Sequence, residues 1–166
     1  MNNPIKWMLE LADPESKHAS GKYLYSTGTE LSMGNGVEMR SIKSDLLPRG
    51  AYDPVTLVPA DVPTHIVDIF IHRNGAYVGR DMECTEMVKL TEFKGVNDTN
   101  VEYETESGFK FTFKISDAEN IRAMGATVMI SYNPAVSEFE PPVFRNGFAT
   151  LLLMPCWKDK VAGGAS

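Results

Sequence analysis

Residues Val101 to Ile115 constrain the fold of this chain more than any other stretch. Val101, Tyr103 and Thr105 alternate with Glu102 and Glu104, and beyond Glu106-Ser107-Gly108 the residues Phe109, Phe111, Phe113 and Ile115 alternate with Lys110, Thr112 and Lys114. A period of two is the signature of a half-buried strand. A three-residue loop at Glu106-Ser107-Gly108, with Gly108 left-handed, sets Glu104 opposite Lys110, Tyr103 opposite Phe111 and Val101 opposite Phe113. Charge then meets opposite charge and apolar group meets apolar group. A two-residue turn would place glutamates against phenylalanines instead. The stretch therefore reads as an antiparallel hairpin whose aromatic face belongs to a core.

Ten prolines and thirteen glycines cut the rest of the chain into short segments, which is the rhythm of a sheet protein. At about 150 residues per domain, 166 residues fit one domain, and 43% hydrophobic content is enough to build its core. The expected fold is mainly β, an antiparallel sandwich or open barrel with one or two short helices. It spans 1–166 as a single β-rich domain, with an extended N-terminal arm over 1–20 and a flexible tail over 158–166.

Asn74-Gly75 suits a type I′ turn and predicts a second hairpin between His65–Arg73 and Ala76–Leu90, with Val67, Ile69 and Ile71 as its apolar face. Ala126 to Tyr132 alternates moderately, and Phe148 to Met154 is nearly continuous apolar sequence that fits a central strand entered from an Asn146-Gly147 turn. Ser116 and Glu119 make a capping box for a short helix through Met124, closed by Gly125. Near the start, Asn3-Pro4 fits the cap of a helix from Ile5 to Ala12. The alternation of Ile5, Trp7, Leu9 and Leu11 favours a strand. Residues 26–36, rich in Gly, Ser and Thr, and the proline-rich 48–63 read as surface connections.

The formal charge of −6 is concentrated in one region. Residues 1–80 hold 8 basic and 9 acidic side chains, 81–106 hold 2 and 8, and 107–166 hold 6 and 5. The acidic stretch repels phosphate, which argues against direct nucleic-acid binding, while membrane-surface contact stays open. No run approaches the roughly 18 apolar residues of a transmembrane helix. The N-terminus lacks the basic and apolar regions of a secretory leader, so an intracellular site, or one inside an assembled virion, is expected. Cys84 and Cys156 form no CxxC motif and read as reduced thiols, with pairing left open. Asn97-Asp98-Thr99 reads as a turn.

Motifs that would name a reaction are missing. Gly21-Lys22 lacks the P-loop context, and Gly34-Asn35-Gly36 lacks the third glycine of a dinucleotide fingerprint. The one cluster with chemical potential comes from the Asn74-Gly75 hairpin, whose two-residue turn would put Asp68, His72 and Asp81 on one face, with Asp68 directly opposite Asp81. Such a pair calls for a raised carboxyl pKa, a bulge or a bound cation. A solvated polar face is the simpler account. His18 and His65 complete no ligand spacing.

Three functional classes remain. The first is a non-enzymatic structural or assembly protein that associates with itself or with another protein and needs no cofactor. Its interface candidates are Ile5, Trp7, Leu9, Leu11 and Trp157, since aromatic and aliphatic anchors dominate subunit contacts. Small β-rich chains of this style occur among matrix, coat and tail components of virions, although no motif specifies a family. The second is a monomeric β module that binds a peptide or small ligand through a sheet face, with Tyr23 and Tyr25 near its glycine-rich loop. The third is a metal-assisted enzyme built on Asp68, His72 and Asp81.

Overall fold

The computed structural model describes residues 3–78, 86–89, 91–97, 100–105, 108–125, 128–132 and 142–153. The fold is mainly β and antiparallel, and the described residues close no barrel. In chain order the elements are α1 (Pro4–Leu9), α2 (Ala19–Lys22), β1 (Leu24–Ser26), β2 (Glu30–Gly34), β3 (Glu38–Lys43), β4 (Gly50–Tyr52), α3 (Thr64–Val78), β5 (Glu86–Lys89), β6 (Thr91–Asn97), β7 (Asn100–Glu104), β8 (Lys110–Lys114), α4 (Ile115–Ala123), β9 (Met129–Tyr132), β10 (Val143–Arg145) and β11 (Ala149–Leu153). The chain divides into two compact units, Met1–Arg80 with Gly147–Leu152, and Asp81–Asn146 with Leu153–Ser166.

In the first unit the strands run in the order β4-β1-β2-β3-β11. Register assigns their faces, because residues directly opposite on antiparallel strands point the same way. Tyr25 pairs with Ser32 and with Ala51, and Ser32 pairs with Ser41, so these four share one face. Met33 pairs with Arg40 and Leu31 with Ile42 on the other. Residues 26–36 are therefore not one surface loop: β2 lies within them, flanked by short turns, because Leu31 and Met33 are buried on the Arg40 face. Strand β11 is buried at every position, as its continuous apolar run requires.

Helix α1 replaces the strand expected over Ile5, Trp7, Leu9 and Leu11. The Asn3 carboxamide accepts the Lys6 amide at 2.9 Å, and Pro4 opens the first turn. Residues two apart diverge on a helix, so Trp7, Met8 and Leu11 are buried while Ile5 and Leu9 are only partly covered.

Helix α3 overturns the second hairpin outright. It runs through Asn74 and Gly75, and its inward residues are Val67, Phe70 and Ile71, at the three- and four-residue spacings of a helix. Ile69, read as part of a strand face, is 57% exposed. Tyr25, Ala51, Val67 and Ile71 form a core cluster on one sheet face, with Tyr25 stacked on Phe70 at 5.0 Å between ring centroids.

In the second unit, β6-β7-β8 form one antiparallel ladder and β5-β9-β10 another. The β7–β8 hairpin has the register expected of it: Val101 opposite Phe113, Tyr103 opposite Phe111, Glu104 opposite Lys110. Gly108 takes φ 88°, and its amide donates to the Thr105 carbonyl at 2.9 Å. Phe113 is fully buried and meets Phe144 edge-on at 5.5 Å. Helix α4 starts earlier than its capping box implied, with Lys114 at the cap and Ser116 inside the first turn, so the Ser116–Glu119 box does not form. Gly125, at φ 101°, follows its end as expected, and Asn146 Nδ2 donates to the Met124 carbonyl at 2.8 Å.

Candidate functional site

The most distinctive exposed feature is the turn after β4. The Asp53 amide donates to the Val58 carbonyl at 2.9 Å, and the Leu57 amide donates to the Asp53 carbonyl at 2.9 Å. The Asp53 carboxylate accepts the amides of Val55 at 2.9 Å and Thr56 at 2.8 Å. Those bonds, Thr56 first and Val55 second, hold its carboxyl below the usual carboxylate range. Leu57 sits at φ 57°, a left-handed conformation that Gly or Asn adopts at lower cost. The chain then returns along β4, with Tyr52 bridged to Pro59 and the Ala60 amide donating to Ala51 at 2.9 Å. This miniature hairpin carries Val55 at 79% exposure and Val58 at 57%. Pro59 has no N–H, so the returning segment shields β4 without offering a full donor row to another strand.

The outward face of α3 carries His65, Asp68, Ile69 and His72. Asp68 accepts from Arg49 Nη2 at 2.7 Å, with both side chains about half exposed, an arrangement worth about 0–1 kcal/mol. The strand register that aligned Asp68 and His72 with Asp81 does not exist, because α3 carries Asp68 and His72 on a helix. Asp81 itself lies outside the described residues. Among the described residues no group of three or more His, Cys, Asp or Glu side chains is placed to hold a metal ion.

A third cluster is buried. Arg40 Nε donates to Glu38 Oε1 at 2.6 Å, and Nη1 donates to the Trp7 carbonyl and to Glu10 Oε2 at 3.1 Å. The guanidinium lies 5.1 Å from the centroid of a Trp7 ring. With Arg40 and Glu38 both buried, the group clamps α1 onto β3. Trp7 Nε1 is buried and finds no hydrogen-bond partner among the described residues. Sequence reasoning passed over this cluster, although Glu38-Met39-Arg40 on a strand puts opposite charges on one face.

Of the interface candidates, Trp7 and Leu11 are buried within the chain, Ile5 and Leu9 are half-buried, and Trp157 lies outside the described residues. Tyr25 is buried in the α3 cluster, with its hydroxyl donating to the Ala19 carbonyl at 3.2 Å. Burial, with a smaller push from Tyr23, raises its pKa to about 12.

Fold and surface together define a mainly β, antiparallel chain with a preformed apolar hairpin tip. No protein-family model matches it, and it has no significant match among curated proteins or solved structures.

Proposed function

We propose that the chain is a non-enzymatic structural or assembly protein that packs against copies of itself, in the manner of a subunit of a larger complex such as a virion, through the tip at 53–58. The observation that carries this reading is a pair of valines held out in water by a hydrogen-bonded turn containing a left-handed leucine. A preorganised apolar tip loses little conformational entropy on docking. The near balance of 8 basic and 9 acidic side chains over residues 1–80 lets two copies approach without strong repulsion. Burial of Trp7 and Leu11 inside the chain favours the tip over the N-terminal segment as the contact. Size-exclusion chromatography with light scattering tests this. The mass should rise above 18.4 kDa as concentration increases, and Val55→Asp with Val58→Asp should return it to the monomer without changing the circular dichroism. A strictly monomeric chain at high micromolar concentration, or an oligomer indifferent to the two substitutions, overturns the proposal.

A further inference from the structure

Three Asn-Gly dipeptides occur, at 35–36, 74–75 and 146–147. In an unfolded chain all three share one intrinsic reactivity: the amide nitrogen of the glycine can attack the asparagine side-chain carbonyl carbon. The fold separates them. We propose that Asn35 is the site at which the folded protein modifies itself, cyclising to a succinimide and opening to aspartate and isoaspartate.

The β2–β3 turn supplies what that reaction needs. Asn35, Gly36 and Val37 are exposed to water. The Gly36 amide, the nucleophile, donates no hydrogen bond among the described residues. Asn35 Oδ1 accepts the amides of Val37 at 3.1 Å and Glu38 at 2.8 Å. Two donors on that oxygen polarise the Cγ carbonyl and stabilise the oxyanion that forms when nitrogen adds. Gly36 takes φ 96°, and a Cβ placed on it would touch nothing within 4 Å, so no neighbouring atom crowds the Gly36 Cα beside the nucleophilic nitrogen.

The other two sites lack one or more of these features. Asn74 and Gly75 lie inside α3, where regular helical bonding commits the glycine amide to the carbonyl four residues back. Asn146 Nδ2, the nitrogen that would have to leave, donates to the Met124 carbonyl at 2.8 Å in a partly buried setting.

The reaction balances with water alone. The Gly36 nitrogen gives its proton to solvent base and bonds to Asn35 Cγ. The bond from Cγ to the side-chain nitrogen breaks, and that nitrogen leaves as ammonia after taking a proton. Water then opens the ring at either carbonyl. Attack at Cγ gives aspartate, and attack at the backbone carbonyl gives isoaspartate, whose main chain runs through Cβ. The isoaspartate form lengthens the turn that sets Met33 opposite Arg40, and so bears on the strand that holds the α1 clamp.

Peptide mapping by mass spectrometry tests the proposal on the full chain aged at mildly alkaline pH in ¹⁸O-labelled water. The Asn35 peptide should convert from amide to labelled acid at least about tenfold faster than the Asn74 and Asn146 peptides, a modest barrier difference. In denaturant the three rates should converge, because the distinction belongs to the fold. A folded chain in which Asn35 converts no faster than the other two overturns the proposal, and so does a lead that persists unchanged in denaturant.

Discussion

The two faces of the first unit's sheet both bury apolar side chains, and one of them carries a cluster of charges in addition. On one, α1 is held by Arg40 through the Trp7 carbonyl and the carboxylates of Glu10 and Glu38. On the other, α3 lays Val67, Phe70 and Ile71 over Tyr25 and Ala51. The α3 face gains free energy in proportion to the apolar area it removes from water. The α1 face buries apolar side chains as well, Trp7, Met8 and Leu11 on the helical segment and Leu31 and Met33 on the sheet. It adds charges taken out of water, whose mutual attraction does little more than offset that cost, so what the charges supply is a particular seating of the helix. The difference also bears on function. Helices of the chain itself cover both faces, and among the described residues the most exposed large apolar side chain is Val55 of the 53–58 tip, on which the proposed self-association rests.

Breaking the clamp is expected to have the largest effect. Arg40→Ala removes the cation paired with the buried Glu38 carboxylate, and should cost about 3–5 kcal/mol in chemical denaturation. Replacing both partners, Arg40→Met with Glu38→Leu, should return stability to within about 1 kcal/mol of the natural chain, since the desolvation cost disappears with the charges. If the double substitution is as damaging as the single one, the clamp is a net source of stability and the contrast between the faces fails.

The α3 face is sharpened by Tyr25. Tyr25→Phe removes one hydroxyl bond to the Ala19 carbonyl and should cost about 1 kcal/mol. The same hydroxyl predicts an alkaline limit. Its folded pKa, about 12, lies above the ordinary value near 10, so the neutral phenol is favoured on folding. That contribution is complete below the ordinary value and is lost as pH rises through the folded one. Ultraviolet titration should show a phenol ionising near pH 12 in the natural chain that is missing in Tyr25→Phe; a natural chain without that step would show that water reaches this face.

The smallest effect belongs to the tip. The Asp53 carboxyl is held low by the Thr56 and Val55 amides, so its stabilisation is present above the ordinary carboxylate value and is lost as pH falls through the lowered one. In NMR spectra the amide protons of Val55 and Thr56 should shift together with a midpoint below about 3.9. A midpoint at or above that value would mean the turn is not fixed by these bonds.

How far the sequence disclosed this architecture depends on how many independent signals agreed. At Val101–Ile115, alternation, charge pairing and the Gly108 turn selected one register, and the ladder has it. Around Val67 the signals conflicted. Val67, Ile69 and Ile71 alternate like a strand and Asn74-Gly75 suggests a turn, yet Val67, Phe70 and Ile71 also fit a helix, and packing against Tyr25 decided between them. The same ambiguity hid α1, where Asn3-Pro4 was the better guide than the alternation that followed. The tip was illegible for another reason: its left-handed position is filled by Leu57, where composition rules look for Gly or Asn. The Arg40 clamp joins residues some thirty positions apart, a contact that local pattern does not register.

The most direct test of the account asks where protection appears when the chain associates. Amide hydrogen exchange should be compared at low and high protein concentration, by mass spectrometry or NMR. The account predicts that added protection at high concentration falls on the amides of residues 53–58, while those of residues 4–11, already seated under Arg40, exchange at the same rate in both samples. Protection that grows at 4–11 and not at 53–58, or that grows nowhere, would contradict it.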